Sequence, residues 1–242
     1  MAPIIAALWL ALAAGSAWGY EYTDINAPPG TELSHIEILD SIYGGDWLTD
    51  DGINFYNDAG ITVSRVYDTD GGDEIIHVLL GNPSNVDQVW TDGTVTVTAE
   101  AKYADFNQSF GWNGGGLGTN YIPLLTEDDI GGDAQEIEIT GDFLWGIRPT
   151  DGPWKDYLWW SKQSLNESPY FGTDHMVTYF VEGLADLAEE ETAWLLFWED
   201  YPCGGDEDYN DFVIELRAIP EPSTALLLAM GLLAFGLRRR LS

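Results

Sequence analysis

One cysteine, Cys203, in 242 residues excludes an intramolecular disulfide, so the fold must be held by its core or by metal. Basic residues are scarce as well: 9 Lys and Arg stand against 41 Asp and Glu, a formal net charge of −32. So acidic a chain repels phosphate backbones, which excludes nucleic acid as a partner, and it attracts cations. An acidic, lysine-poor surface also keeps a protein soluble, which accounts for the bulk of the charge but not for its clustering. The three histidines, His35, His77 and His175, are scattered, and no Cys/His set of zinc spacing exists. His77 and His175 fall within strand patterns, where an ordinary packed or exposed histidine is expected. Neither G-x-S-x-G nor H-E-x-x-H occurs, and among so many acids a carboxylate pair carries no catalytic information. The expectation is a protein that is not an enzyme. Helical periodicity is sparse, and no repeat of roughly 20–50 residues marks a solenoid or propeller.

What is present begins at the ends. Residues 1–19, MAPIIAALWLALAAGSAWG, are apolar and close on small residues, with Ala17 and Gly19 at the −3 and −1 positions of a signal-peptidase site. They predict a signal helix removed after Gly19, although no Lys or Arg precedes it. Residues 225–237 are thirteen uncharged, mostly apolar residues followed by Arg238, Arg239 and Arg240. A helix of that length spans about 20 Å against a hydrocarbon core of about 30 Å, so it predicts a short, marginal transmembrane helix. The arginines place its end in the cytoplasm and the main body across the membrane. Excluding Glu221 and the three terminal arginines, 40 acids face 6 bases.

Between these ends, short β-branched and aromatic runs alternate with Gly, Asp, Asn and Pro clusters. This pattern predicts an all-β fold, an antiparallel β-sandwich of jelly-roll type. Strands are expected over 61–67, 74–80, 93–101, 134–140, 175–181, 192–198 and 212–218. In TVTVTAE, Val95 and Val97 face one side and Thr94, Thr96 and Thr98 the other, so one face is buried. AWLLFW is apolar throughout, as suits a strand covered on both faces. The stretch 34–45 predicts one short N-terminal helix, with Ser34 as cap, Gly44 as stop, and Ile36, Leu39, Ile42 and Tyr43 on one face. The expected organisation is a signal peptide (1–19), an N-terminal part of the body (20–93), the sandwich (94–218) and the C-terminal tail (219–242).

The stretch GGDEDYNDF, 204–212, concentrates acids where like charges repel. It lies in a loop much longer than the usual hairpin turn, between the strands 192–198 and 212–218. An antiparallel return brings Glu199 and Asp200 beside Asp211, and places the loop's Asp206, Asp208 and Asn210 nearby. A hard cation taking six to eight oxygens reverses the sign of that repulsion. The D-x-D-x-N spacing alternates ligand and spacer as calcium loops do, against the alternative of a solvated acidic turn. It is not an EF-hand, since Asp211 stands where that loop needs Gly and Arg217 where it needs Glu. So many carboxylates favour Ca2+ over Mg2+. A second cluster, Asp68, Asp70 and Asp73, is explained by a Gly-Gly hairpin turn.

The tail, with Pro220, Glu221 and Pro222, a short apolar helix and the cluster Arg238, Arg239 and Arg240, resembles a PEP-CTERM sorting signal of Gram-negative bacteria. The resemblance implies recognition by an exosortase, a membrane transpeptidase. It also implies transient anchoring in the inner membrane through the helix, then transfer to the outer surface or extracellular space, often beside exopolysaccharide or biofilm matrix. The body from about 95 to 218 resembles the bacterial domain of unknown function 4114. The stretches that carry this are AEAKYADFNQSFGW, FGTDHMVTYFV and FWEDYPCGGDEDYNDFVIEL. The last matches that family's signature at Glu199, Asp200, Gly204, Gly205, Asp206, Asp208, Tyr209, Asn210 and Asp211. This resemblance implies a β-rich extracellular domain, strengthens the calcium reading and supplies no activity.

Nine tryptophans follow residue 19. Trp154, Trp159 and Trp160 lie in the loop-like GPWKDYLWWSK and are the candidates for a polysaccharide-stacking platform. The favoured reading is a calcium-stabilised surface or matrix protein with a structural or adhesive role. The alternative is an extracellular polysaccharide-binding module, and a glycan-active enzyme ranks third.

Overall fold

A computed structural model of the chain describes residues 22–49, 53–67, 77–79 (backbone only), 89–104, 106–114, 120–155, 157–166, 174–187, 192–202 and 205–219. The expected signal peptide, the acidic cluster at 68–74, Cys203 and the transmembrane tail lie outside these residues. No helix among the described residues is long and apolar enough to cross a membrane.

One helix and fourteen strands are described: α1 (His35–Tyr43), β1 (Trp47–Thr49), β2 (Asn54–Asn57), β3 (Thr62–Arg65), β4 (His77–Leu79), β5 (Val89–Thr91), β6 (Gly93–Lys102), β7 (Gln108–Gly114), β8 (Tyr121–Thr126), β9 (Gln135–Ile139), β10 (Phe143–Pro149), β11 (Trp159–Trp160), β12 (Met176–Glu182), β13 (Thr192–Trp198) and β14 (Phe212–Ile219). They form a larger sheet in the order β1-β2-β3-β12-β13-β14-β6-β9 and a smaller one, β4-β5-β10-β7-β8, with β11 on β10. All described pairings are antiparallel except β4 with β5. The expected two-sheet architecture is present, but β12, β13 and β14 form a meander within one sheet. Elsewhere the chain crosses between the sheets, from β5 to β6, β6 to β7, β8 to β9 and β9 to β10. Residues before 94 are not set apart, since β1 to β3 extend the larger sheet and β5 joins the smaller.

Strand β13 organises the packing. Its side chains alternate between two cores, because successive residues of a strand point to opposite faces. Trp194, Leu196 and Trp198 enter a core shared with the smaller sheet, alongside Trp90, Phe110, Phe143 and Trp145. Trp90 meets Trp194 edge-on at 5.5 Å between ring centroids. Ala193, Leu195 and Phe197 face a second core under α1, with Ile38, Leu39, Phe55 and Val63. Strand β6 shows the simpler alternation, with Val95 and Val97 buried and the intervening threonines half-exposed.

Helix α1 starts where a capping sequence predicts. Glu37 accepts from the Ser34 backbone N–H at 2.9 Å and from its hydroxyl at 2.6 Å. Its amide at Gly44, with φ 66°, closes on the Asp40 carbonyl at 2.8 Å. The deepest residues are His35, Ile38 and Leu39, while Ile36, Ile42 and Tyr43 pack partly buried against the same core. The buried face is therefore rotated from the one that apolar spacing predicts, because His35 finds polar partners beneath the helix.

Candidate metal centre

The register of the last hairpin builds the site. Trp198 pairs with Phe212, so the next residues outward, Glu199 and Asp211, stand opposite one another. The loop reverses through left-handed backbone at Gly205, Glu207 and Tyr209, with φ of 52°, 61° and 56°. At 205 glycine is required twice over, because a Cβ there would lie 2.2 Å from Glu199 Oε1.

The acids separate into two trios, each able to bring one oxygen per residue within 4.8 Å of the others. Glu199, Asp200 and Asp211 form the inner trio, with Glu199 and Asp200 buried. Asp206 and Asp208 form the outer trio with Glu32, a residue absent from the expected ligand set. Asn210 belongs with the outer group: its Nδ2 donates to Asp208 Oδ2 and to the Leu33 carbonyl, both at 3.0 Å. All but Asp208 among these carboxylates line one cleft of about 390 Å3, with Tyr103, Phe106, Tyr201, Pro202 and Gly205.

Surrounding groups hold this constellation. The Asp200 N–H donates to Asp211 Oδ2 at 2.8 Å, and the Tyr201 N–H to Glu199 Oε1 at 3.1 Å. Gln108 at the start of β7 donates to Asp200 Oδ2, and the Trp159 indole donates to the Asp200 carbonyl at 2.9 Å. Two buried histidines fasten the backbone. His175 Nδ1 bonds the Glu199 carbonyl at 2.9 Å, with its ring stacked on Trp159. His35 Nε2 bonds the Asp208 carbonyl at 2.8 Å, and Nδ1 bonds the Tyr179 hydroxyl at 2.8 Å. A carbonyl only accepts, so His35 carries its proton on Nε2 and accepts from Tyr179. Burial pushes His35 down to about 3 and His175 down to about 4, so both are neutral at pH 7.

The carboxylates are perturbed in the opposite sense. Burial, then the neighbouring Asp211, pushes Glu199 far above the usual carboxylate range. Asp211 moves up chiefly by burial, and Glu32 by burial and then Asp206. Burial pushes Asp208 up to about 7, with Asp206, Asp211 and Glu32 adding to the shift. Glu199 Oε2 and Asn210 Oδ1 are buried with no hydrogen-bond partner among the described residues. Buried oxygens without partners are costly, and an acidic pair without a counter-charge must take up a proton. A divalent cation relieves both conditions at once. The donors are oxygens throughout, which suits a hard ion and offers zinc none of its preferred ligands.

The tryptophan candidates lie elsewhere than expected. Trp159 and Trp160 are buried, at 0% and 5% exposure, and pair as β11 with β10 rather than forming a loop. Glycine at 146 admits Trp160, whose Cε3 would lie 2.8 Å from a Cβ there. Neither ring presents a face to a sugar. Trp154 is half-buried and meets Tyr201 edge-on at 5.5 Å. Glu32, His35, His175 and Gln108 carry no local signal of their role.

Residues 218–240 match the PEP-CTERM protein-sorting motif. This motif marks an exported protein that is anchored in the membrane until an exosortase processes it. Pro220, Glu221, Pro222 and the three arginines fall within the matched segment. A search of curated proteins finds no match.

Proposed function

We propose that the exported body is a structural or adhesive protein of the cell surface or extracellular matrix, without catalytic activity, whose sandwich is stabilised by calcium in the 199–211 loop. The observation that carries this reading is the buried, unpartnered Glu199 Oε2 facing Asp200 and Asp211, beside a second trio that includes Glu32. Calcium would be held by Glu199, Asp200 and Asp211, and by Glu32, Asp206, Asp208 and Asn210. The resemblance of 197–216 to the signature of domain of unknown function 4114 supports the same site. Calcium here joins three parts of the chain: the segment before α1, the end of β13 and the start of β14. That arrangement favours an ordered fold outside the cell, where calcium is abundant, and a looser one inside.

Binding at 100-fold above Kd stabilises a fold by about 2.7 kcal/mol per site. At about 2–4 °C per kcal/mol for a chain of this size, one site raises Tm by roughly 5–11 °C. The test is thermal melting of the full chain in detergent, with calcium and with chelator. The expected result is a rise of that size, abolished by Asp208→Ala combined with Asp211→Ala. Equal melting temperatures with and without calcium would sink the reading.

A further inference from the structure

We propose that the same cleft binds a neutral saccharide, whose vicinal hydroxyls complete the shell of the outer cation while a sugar face lies on Tyr201. This inference rests on the calcium reading and extends it from bracing to recognition.

The outer trio leaves ligand positions open. Glu32, Asp206 and Asp208 give three ligating carboxylates, with Asn210 beside them turning its Nδ2 to Asp208, against the six to eight oxygens calcium takes. Asp206 is exposed and Glu32 half-exposed, and both line the cleft. The inner trio is enclosed by comparison, backed by Gln108 and Trp159. Hydroxyl pairs are suitable oxygen ligands for such a half-filled shell.

The wall of the cleft is aromatic. Tyr103, Phe106 and Tyr201 line it together with the acids. Tyr201 is 46% exposed, yet its ring is flanked by Phe106 at 6.4 Å and 20° and by Trp154 at 5.5 Å. An aromatic side chain held between two others and still open to solvent is suited to stacking. It lines the same cleft as Glu32 and Asp206, with its backbone N–H on Glu199 Oε1 at 3.1 Å. The cleft volume of about 390 Å3 is within the range of small-ligand sites.

Charge selects among saccharides. The two trios hold six carboxylates, and two divalent cations neutralise four of their charges. The site keeps a negative excess, which repels uronate and sulfated chains and leaves neutral ones.

The experiment presents the full chain in mild detergent, with calcium or chelator, to mannan, galactan and glucan, with alginate as the uronate control. The expected result is saturable, calcium-dependent binding to at least one neutral polymer, weakened about tenfold by Tyr201→Ala. The melting rise caused by calcium should be retained in that variant, which separates lost recognition from lost folding. A calcium-induced melting rise with no neutral-polymer binding overturns this inference and leaves the calcium reading standing. Binding confined to alginate, or unchanged by Tyr201→Ala, also overturns it. Absence of the melting rise overturns the calcium reading itself.

Discussion

Calcium entering the cleft at pH 7 should expel protons, and the number follows from the geometry. Buried Glu199 and half-buried Asp211 face each other across the hairpin with no cationic side chain paired to them among the described residues, so the pair holds one proton when metal-free. Asp208, pushed up to about 7, is half-protonated at that pH. A cation requires all three ionised, so binding releases about 1.5 protons per cleft. The combined affinity for the two ions should then weaken roughly thirtyfold for each unit of pH lost near neutrality, or about 2 kcal/mol, most of it at the inner site. The metal-free fold responds oppositely. Its raised carboxylates bind protons that the unfolded chain releases, so the stability they contribute is full below the unfolded value of about 4 and is lost as pH rises from there through the folded value, about 7 for Asp208. Below 6.5 the buried neutral His35 and His175 work against folding, because the unfolded histidines gain protons there. The window above pH 6.5 therefore isolates the carboxylates. Calorimetric titration of calcium in buffers of different ionisation enthalpy reads the proton count directly. A heat independent of buffer would show that the inner pair is already ionised, and would refute the reasoning.

Glu32→Gln should weaken calcium binding about tenfold and shrink the calcium-induced melting rise, although Glu32 lies far from the loop in sequence; titration of the variant beside the native chain checks this. Trp159→Ala should cost about 3–5 kcal/mol through the cavity it leaves, and it should lower Tm with chelator as well as with calcium. A Trp159→Ala protein melting like the native one would place that ring outside the core.

Much of the fold was legible locally. A period of two is written into residues 94–98, and β13 and β14 emerge within a residue of where alternation and apolar runs set them. Ser34 and Gly44 mark α1 because capping is chemistry between near neighbours. The acidic loop could be found because its repulsion is also local, and its base could be assembled from one hairpin. The weaker strands β7, β8 and β10 escaped notice, since their glycines and proline dilute the β signal and their pairing partners stabilise them instead.

By itself the sequence determined a β-rich exported body, a sorting tail, and Glu199, Asp200, Asp206, Asp208, Asn210 and Asp211 as neighbours across one loop. Only the tertiary structure divided those acids into two trios, brought Glu32 to one of them and fastened the loop with His35 and His175. It also buried Trp159 and Trp160, two of the three tryptophans expected at the surface, and left Tyr201 exposed. The physical reason is range. Alternation, caps and charge repulsion act over a few residues, whereas burial depends on which strand lies opposite. The partners of Trp159 and Asp208 come from His175 just before β12, from α1 and from the segment before it, and the tertiary arrangement alone decides that they meet.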